Sequence, residues 1–204
     1  MANLINLHDY KTAEGIQSTK DDTKLELLIT SVSQLVKTYC GNSIVDFYST
    51  ATGGDPANNK KVEDFSINWA SNIIQLTESP VVQVHSVKER DNPSGTYTTL
   101  VENTDYYVDY STDSIYRINS SGRAKNWSNG PGTIQVSYNA GYASCPQDLR
   151  LAVFDLVTYY HKDEHKARQT IAGASIQNQS STSQRNNVAF PDHIKRVLDL
   201  YKNF

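Results

Sequence analysis

The chain has 204 residues and a formal net charge of -3, from 19 basic and 22 acidic residues, with five His and two Cys. It lacks the dense Lys and Arg that neutralise phosphates, which excludes a protein that grips nucleic acid. It also lacks both a signal-peptide pattern and any apolar run near the roughly 20 residues of a spanning helix, so the sequence predicts neither membrane insertion nor secretion.

The apolar set makes up 38% of the chain, whereas Asn, Ser and Thr together number 55, so a modest core under a neutral, hydrogen-bonding surface is expected. The length suits one elaborated domain or two small ones. A short helix is predicted over 7–14. Between Asp22 and Gly41, residues Leu25, Leu28, Ile29, Val32, Leu35, Val36 and Tyr39 recur at three and four, the stripe of an amphipathic helix. Ser18, Thr19, Asp21 and Asp22 offer caps and favourable charge at its start, and Gly41 a stop.

From 43 to 144 the period becomes two, broken by turn-rich clusters at 52–56, 91–95, 120–122 and 129–132, with Gly130-Pro131-Gly132 read as a turn. Strands are predicted at 73–76, 81–88, 106–110, 115–118 and 133–138. In the last of these Ile134, Val136 and Tyr138 face one side while Gln135 and Ser137 face a solvated other. Helical spacing resumes after Pro146 with Leu149, Ala152, Val153, Leu156 and Tyr160, and His165, Lys166 and Arg168 stand near the predicted end. Residues 169–189 are too polar to offset their ordering entropy and are expected to form a flexible arm. A last helix follows Pro191, with Ile194, Val197, Leu198 and Tyr201 as its stripe and Phe190 stapling its start. The predicted class is α+β: residues 1–42 and 146–204 form a small helical bundle, and a large antiparallel β region, 43–145, is inserted between them. That region is acidic, with 7 basic and 11 acidic residues, while 146–204 carries 8 and 6.

No enzyme is expected. His161-Lys162-Asp163-Glu164-His165 fits H-x-x-E-H, which sets two imidazoles one helical turn apart for zinc. That chemistry needs a third ligand, no Glu follows Glu164, and a charged helix end interacting with the dipole is the preferred reading. No metal or cofactor is predicted. Cys40 and Cys145 form no C-x-x-C pair, and both read as buried or capping thiols. Thirteen Tyr and two Trp leave open a carbohydrate- or receptor-binding β module, with Tyr106, Tyr110, Tyr116, Trp127, Tyr138 and Tyr142 as candidates, although strand core and subunit contacts use the same residue types.

Two segments carry a resemblance: Glu78-Ser79-Pro80-Val81-Val82-Gln83-Val84-His85-Ser86-Val87, and the run from Val136 through Tyr138-Asn139-Ala140-Gly141-Tyr142 to Cys145-Pro146-Gln147-Asp148-Leu149 and Val153. With Leu4-Ile5-Asn6-Leu7-His8-Asp9-Tyr10-Lys11, Gly15-Ile16 and Tyr39-Cys40-Gly41 in the same order, the chain resembles head-tail connector (adaptor, or head completion) proteins of tailed double-stranded DNA bacteriophages. The resemblance implies a structural virion protein in the neck, assembled in the host cytoplasm. It implies a homo-oligomeric ring, twelve-fold, under the capsid portal, joined to the next neck or head-closure protein, with DNA passing through unbound. No catalytic residue is carried over. Phe190, Ile194, Val197, Leu198 and Tyr201 are the expected portal-docking anchors, and Asp105, Asp109 and Asp113 the expected lumen- or neck-facing acids.

Overall fold

The structure, a computed structural model, describes residues 2–48, 60–162, 169–171, 174–176 and 190–202. It divides into two compact units, Met1–Asn42 with Ser144–Phe204, and Ser43–Ala143.

The first unit is helical. Helix α1, Leu7–Glu14, starts where the Asn6 side chain accepts the Asp9 N–H at 2.7 Å, a side-chain cap for an otherwise orphaned donor. Helix α2, Asp22–Cys40, follows the expected stripe and buries Leu25, Ile29, Val32, Val36 and Cys40. Its N-cap, Asp21, makes no side-chain cap bond; the start is tied instead by the Lys11–Asp22 ion pair at 2.7 Å. Gly41 ends it in the left-handed conformation, φ 63°, which glycine adopts without steric cost. Helix α3, Gln147–His161, buries Leu149, Ala152, Val153, Leu156 and Val157. The residues expected to extend its charged end, 163–168, lie outside the described residues. Helix α4, Asp192–Asp199, packs on α2 and α3. Polar clasps fix the bundle: Tyr10 to Thr158 at 2.9 Å, Arg150 to Asp9 at 2.7 Å and Tyr39 to Asp199 at 2.6 Å. Within the stretch expected as an arm, Gln169–Ile171 and Ala174–Ile176 pair antiparallel; the rest of 163–189 lies outside the described residues.

The second unit is antiparallel β. One sheet has the order β1-β7-β3-β4, from Lys61–Ile67, Gly130–Ala140, Val81–Glu89 and Thr98–Thr99; the other is β2-β6-β5, from Ile73–Gln75, Ser114–Arg117 and Tyr106–Asp109. Their inward residues form one core, including Ile74, Val84, Val87, Val108, Ile115, Trp127, Ile134, Val136 and Tyr138. Gly130-Pro131-Gly132 is not a turn: it opens β7, where the register with β1 slips between Phe65 and Ile67. Proline is tolerated at such a strand start because no ladder donor is required of it. The outer face of β7 is less wet than its alternation suggests. Ser137 and Asn139 are buried, since residues 43–48 cross it and the Asn139 amide donates to the Phe47 carbonyl at 2.9 Å.

Candidate functional site

The two resemblance segments within the β unit meet in one polar lock. The Glu78 carboxylate accepts from Ser43 N–H (2.7 Å), Ser43 Oγ (2.9 Å) and Lys61 Nζ (2.9 Å). Lys61 also pairs with Glu63 at 3.0 Å. The Tyr138 hydroxyl donates to Glu63 at 2.9 Å and accepts from the Glu78 N–H at 3.2 Å. Burial works to raise the Glu63 carboxyl, but hydrogen bonds from Thr77 and Lys61 and the Lys61 charge outweigh it and hold it below its usual value. Burial pushes the Tyr138 phenol up, with the Glu63 charge adding to it. Beside the lock, Gly141 N–H donates to the Pro80 carbonyl at 2.8 Å, and a Cβ on Gly141, at φ +94°, would stand 2.2 Å from the Ile44 carbonyl. Glycine is needed there on both counts. These motif residues therefore fix backbone crossings.

The expected docking anchors fall into two groups. Phe190, Ile194 and Leu198 are buried inside the helical unit; the Phe190 ring packs edge-on to Tyr39 at 5.0 Å, and the Leu198 carbonyl accepts from Cys40 Sγ at 3.6 Å. Their apolar area is already covered by the chain itself, so it is not area a partner would newly bury. Val197 and Tyr201 are half-buried, and the Tyr201 hydroxyl donates to Asp148 at 2.6 Å, holding that carboxyl below its usual range. Leu200, which the sequence stripe passes over, is 77% exposed.

Of the three expected acidic residues, Asp109 and Asp113 flank the β5–β6 turn and Asp105 stands at the other end of the hairpin, and each has a local task. Asp109 accepts from Ser111 N–H and Oγ (3.0 and 2.6 Å) and Thr112 Oγ1 (2.9 Å), bonds that hold it below the usual carboxylate range. Asp113, at φ 53°, accepts the Val81 N–H at 2.7 Å. Asp105 accepts the Val101 N–H at 3.0 Å and faces Arg117 at 3.7 Å. Arg117 itself is buried: it pairs with Glu89 at 3.0 Å, donates to the Asp105 and Ile118 carbonyls, and lies 5.7 Å from the Trp127 ring centroid.

Of the aromatic candidates, Tyr106, Trp127 and Tyr138 are core residues, and burial pushes the Tyr106 phenol up to about 12. The candidate Tyr110 is 46% exposed; Tyr107, one residue from Tyr106, is 52% exposed. With Tyr116 it lines a cleft of about 590 Å³ together with Asn72, Asn103, Asp109, Ile118, Gly122 and Ala124. Strand alternation assigns neighbours to opposite faces, so the signal for Tyr107 was present but its register was not.

Cys40 and Cys145 are buried, and burial pushes the thiols up to about 11 and about 12. A thiol so shifted is a poor nucleophile at neutral pH. His161 ends α3 with a buried Nδ1 that has no hydrogen-bond partner. Glu164 and His165 lie outside the described residues, and among the described residues no three His, Cys, Asp or Glu side chains gather into a metal site.

Comparison with known proteins sets this geometry in a lineage. The model of a family described as "Head completion protein" matches residues 3–204. The chain belongs to the head completion protein family. A head completion protein of Escherichia phage T5 is 22% identical over 201 residues, covering 98% of both chains. Among solved structures, a chain from the neck of an empty GTA particle computed with C6 symmetry is similar at TM-score 0.60 and 12% identity, over 98% of this chain and 90% of that one. A chain from the neck of the native GTA particle computed with C12 symmetry gives 0.55 and 14%, over 100% and 96%. The likeness to these chains is one of fold. Membership of the head completion family makes the protein a structural virion component of the head-tail connection.

Proposed function

We propose that copies of the chain close a homo-oligomeric ring of twelve beneath the portal vertex, hand on to the next neck or head-closure protein, and leave an axial channel through which DNA passes without specific binding. Assembly takes place in the host cytoplasm. A closed ring requires heterologous contacts whose rotation returns on itself. The observation that carries this reading is the family match from residue 3 to residue 204, spanning both units rather than one. The fold likeness to neck chains of a particle treated with C6 and C12 symmetry supports it.

Within this reading the end of α4 faces the portal. Leu200 supplies newly buried apolar area, Val197 and Tyr201 flank it, and Phe190, Ile194 and Leu198 hold the helix on the bundle so that the contact is pre-organised. The acidic hairpin with Asp105, Asp109 and Asp113 faces the lumen or the next neck component. Light scattering and electron microscopy of the purified protein, alone and mixed with portal assemblies, test the reading. Rings, or added density beneath the portal, are expected; a protein that stays monomeric and ignores portals overturns it.

A further inference from the structure

We propose that the cleft on the outer face of β5 and β6 binds a neutral saccharide. The strand register sets Ile73 beside Tyr116 and Tyr116 beside Tyr107, a continuous row across all three strands of the smaller sheet. The segment containing Ile118, Gly122 and Ala124 forms the remaining wall of a shallow cleft, open to solvent, onto which Tyr107 and Tyr116 of this row face. At about 590 Å³ the cleft lies within the range of small-molecule sites, roughly 300–1,000 Å³.

Its chemistry selects the ligand class. Among the described residues no Lys or Arg lines the cleft, which disfavours phosphates and other anions. Among the described residues the one charged side chain lining it is Asp109, and Ser111 and Thr112 already hold its carboxylate with three hydrogen bonds, so it is a fixed acceptor rather than a free counter-ion for a cation. Among the described residues the side chains of Asn72, Asn103, Tyr107 and Tyr116 make no hydrogen bond with one another or with the rest of the chain. Two planar amides, each with one acceptor and two donor hydrogens, therefore stand uncommitted beside two aromatic rings. A pyranose has the matching pair of surfaces: an apolar C–H face that covers a ring, and vicinal hydroxyls that both donate to and accept from an amide. Asn103 is pre-organised for this. It sits at φ 62°, a conformation Asn tolerates, and its N–H donates to the Tyr106 carbonyl at 2.7 Å.

Saturation-transfer NMR and calorimetry on the full chain with maltotriose, cellotriose and chitotriose test the assignment independently of ring formation. At least one trisaccharide is expected to bind, with saturation strongest on the C–H protons of one sugar face. Tyr107→Ala is expected to weaken binding roughly tenfold, and Asn103→Ala to weaken it as well. Val101→Ala, at an exposed position that does not line the cleft, is expected to leave binding unchanged. Absence of binding by all three sugars overturns the proposal, as does a folded Tyr107→Ala chain that binds like the wild type. A chain that binds no sugar but loses portal or neck assembly on Tyr107→Ala also overturns it, by making the cleft a protein contact.

Discussion

Arg117 shows at the level of one residue how the β unit holds polar groups in its interior. Its side chain is only 5% exposed and serves Glu89 and two backbone carbonyls at once. Removing one partner of such a pair leaves an uncompensated buried charge, at a cost of about 3–5 kcal/mol. Arg117→Ala is therefore expected to lower urea-unfolding stability by about that amount. Arg117→Lys should recover only part of it, because a single ammonium cannot span the same acceptors as the guanidinium fork; full recovery by Lys would contradict the reading. The Glu78 lock makes a second prediction, in pH. Glu63 is held below its usual value when folded, so its contribution is complete above the ordinary Glu range, about pH 4.3, and fades as pH falls through the folded value. Lys61 is raised: burial acts against its charge, but hydrogen bonds to Glu78 and Glu63 prevail, so its contribution is present below about pH 10.4 and fades above. The urea midpoint should fall on acidification below about pH 4, and Glu63→Gln should flatten that fall. An unchanged acid slope in the variant would remove Glu63 from the account. At this scale the sequence was least informative, because Tyr106 and Tyr107 are chemically alike and only strand register decides which is core and which is cleft.

At the level of elements, periodicity carried most of the architecture. Apolar recurrence at three and four marks α2, α3 and α4, because each buries one stripe against its neighbours. Alternation marks β5, where Tyr106 and Val108 are buried and Tyr107 is exposed, for the corresponding reason, whereas in β3 the buried Val81, Val84 and Val87 depart from strict alternation where the register with β7 shifts. Strand β1 escaped because its inward positions begin with Lys61 and Glu63, whose polar ends are satisfied in the lock, so alternation of hydrophobicity is hidden while alternation of burial remains. Strand β4 is two residues long and leaves no periodic trace. Helix α4 shows the limit of reading function from a stripe: Ile194 and Leu198 form it because they are core, and the residue free for a partner, Leu200, lies off it. Leu198→Ala should accordingly cost about 2–5 kcal/mol of stability, measured by urea unfolding, whereas Leu200→Asp should leave stability within about 0.5 kcal/mol and weaken attachment to portal assemblies. Unchanged attachment by the folded Leu200→Asp chain would move the portal contact elsewhere. Deleting 188–204 cannot make this distinction, since it also strips Phe190, Ile194 and Leu198 from the core.

At the scale of the whole molecule, the decisive quantity is charge rather than shape. With 22 acidic against 19 basic residues, and the excess of acid concentrated in 43–145, repeating the chain around an axis multiplies a negative field. Duplex DNA is bound through released counterions when Lys and Arg neutralise its phosphates, and the resulting affinity falls steeply with salt. The proposed channel, which would let DNA pass without binding it, is served by the opposite arrangement, in which weak repulsion prevents adhesion. In the proposed reading Asp105, Asp109 and Asp113 suit such a wall because backbone N–H groups of Val101, Ser111 and Val81 hold each of them in place. The expectation is that purified protein, and any ring it forms, is not retained on immobilised duplex DNA at low or at physiological ionic strength. Retention at low salt that collapses steeply as salt rises would reveal a basic surface arising on assembly, and would require the lumen to be lined by the C-terminal part, with its 8 basic residues against 6 acidic, instead of by the acidic hairpin.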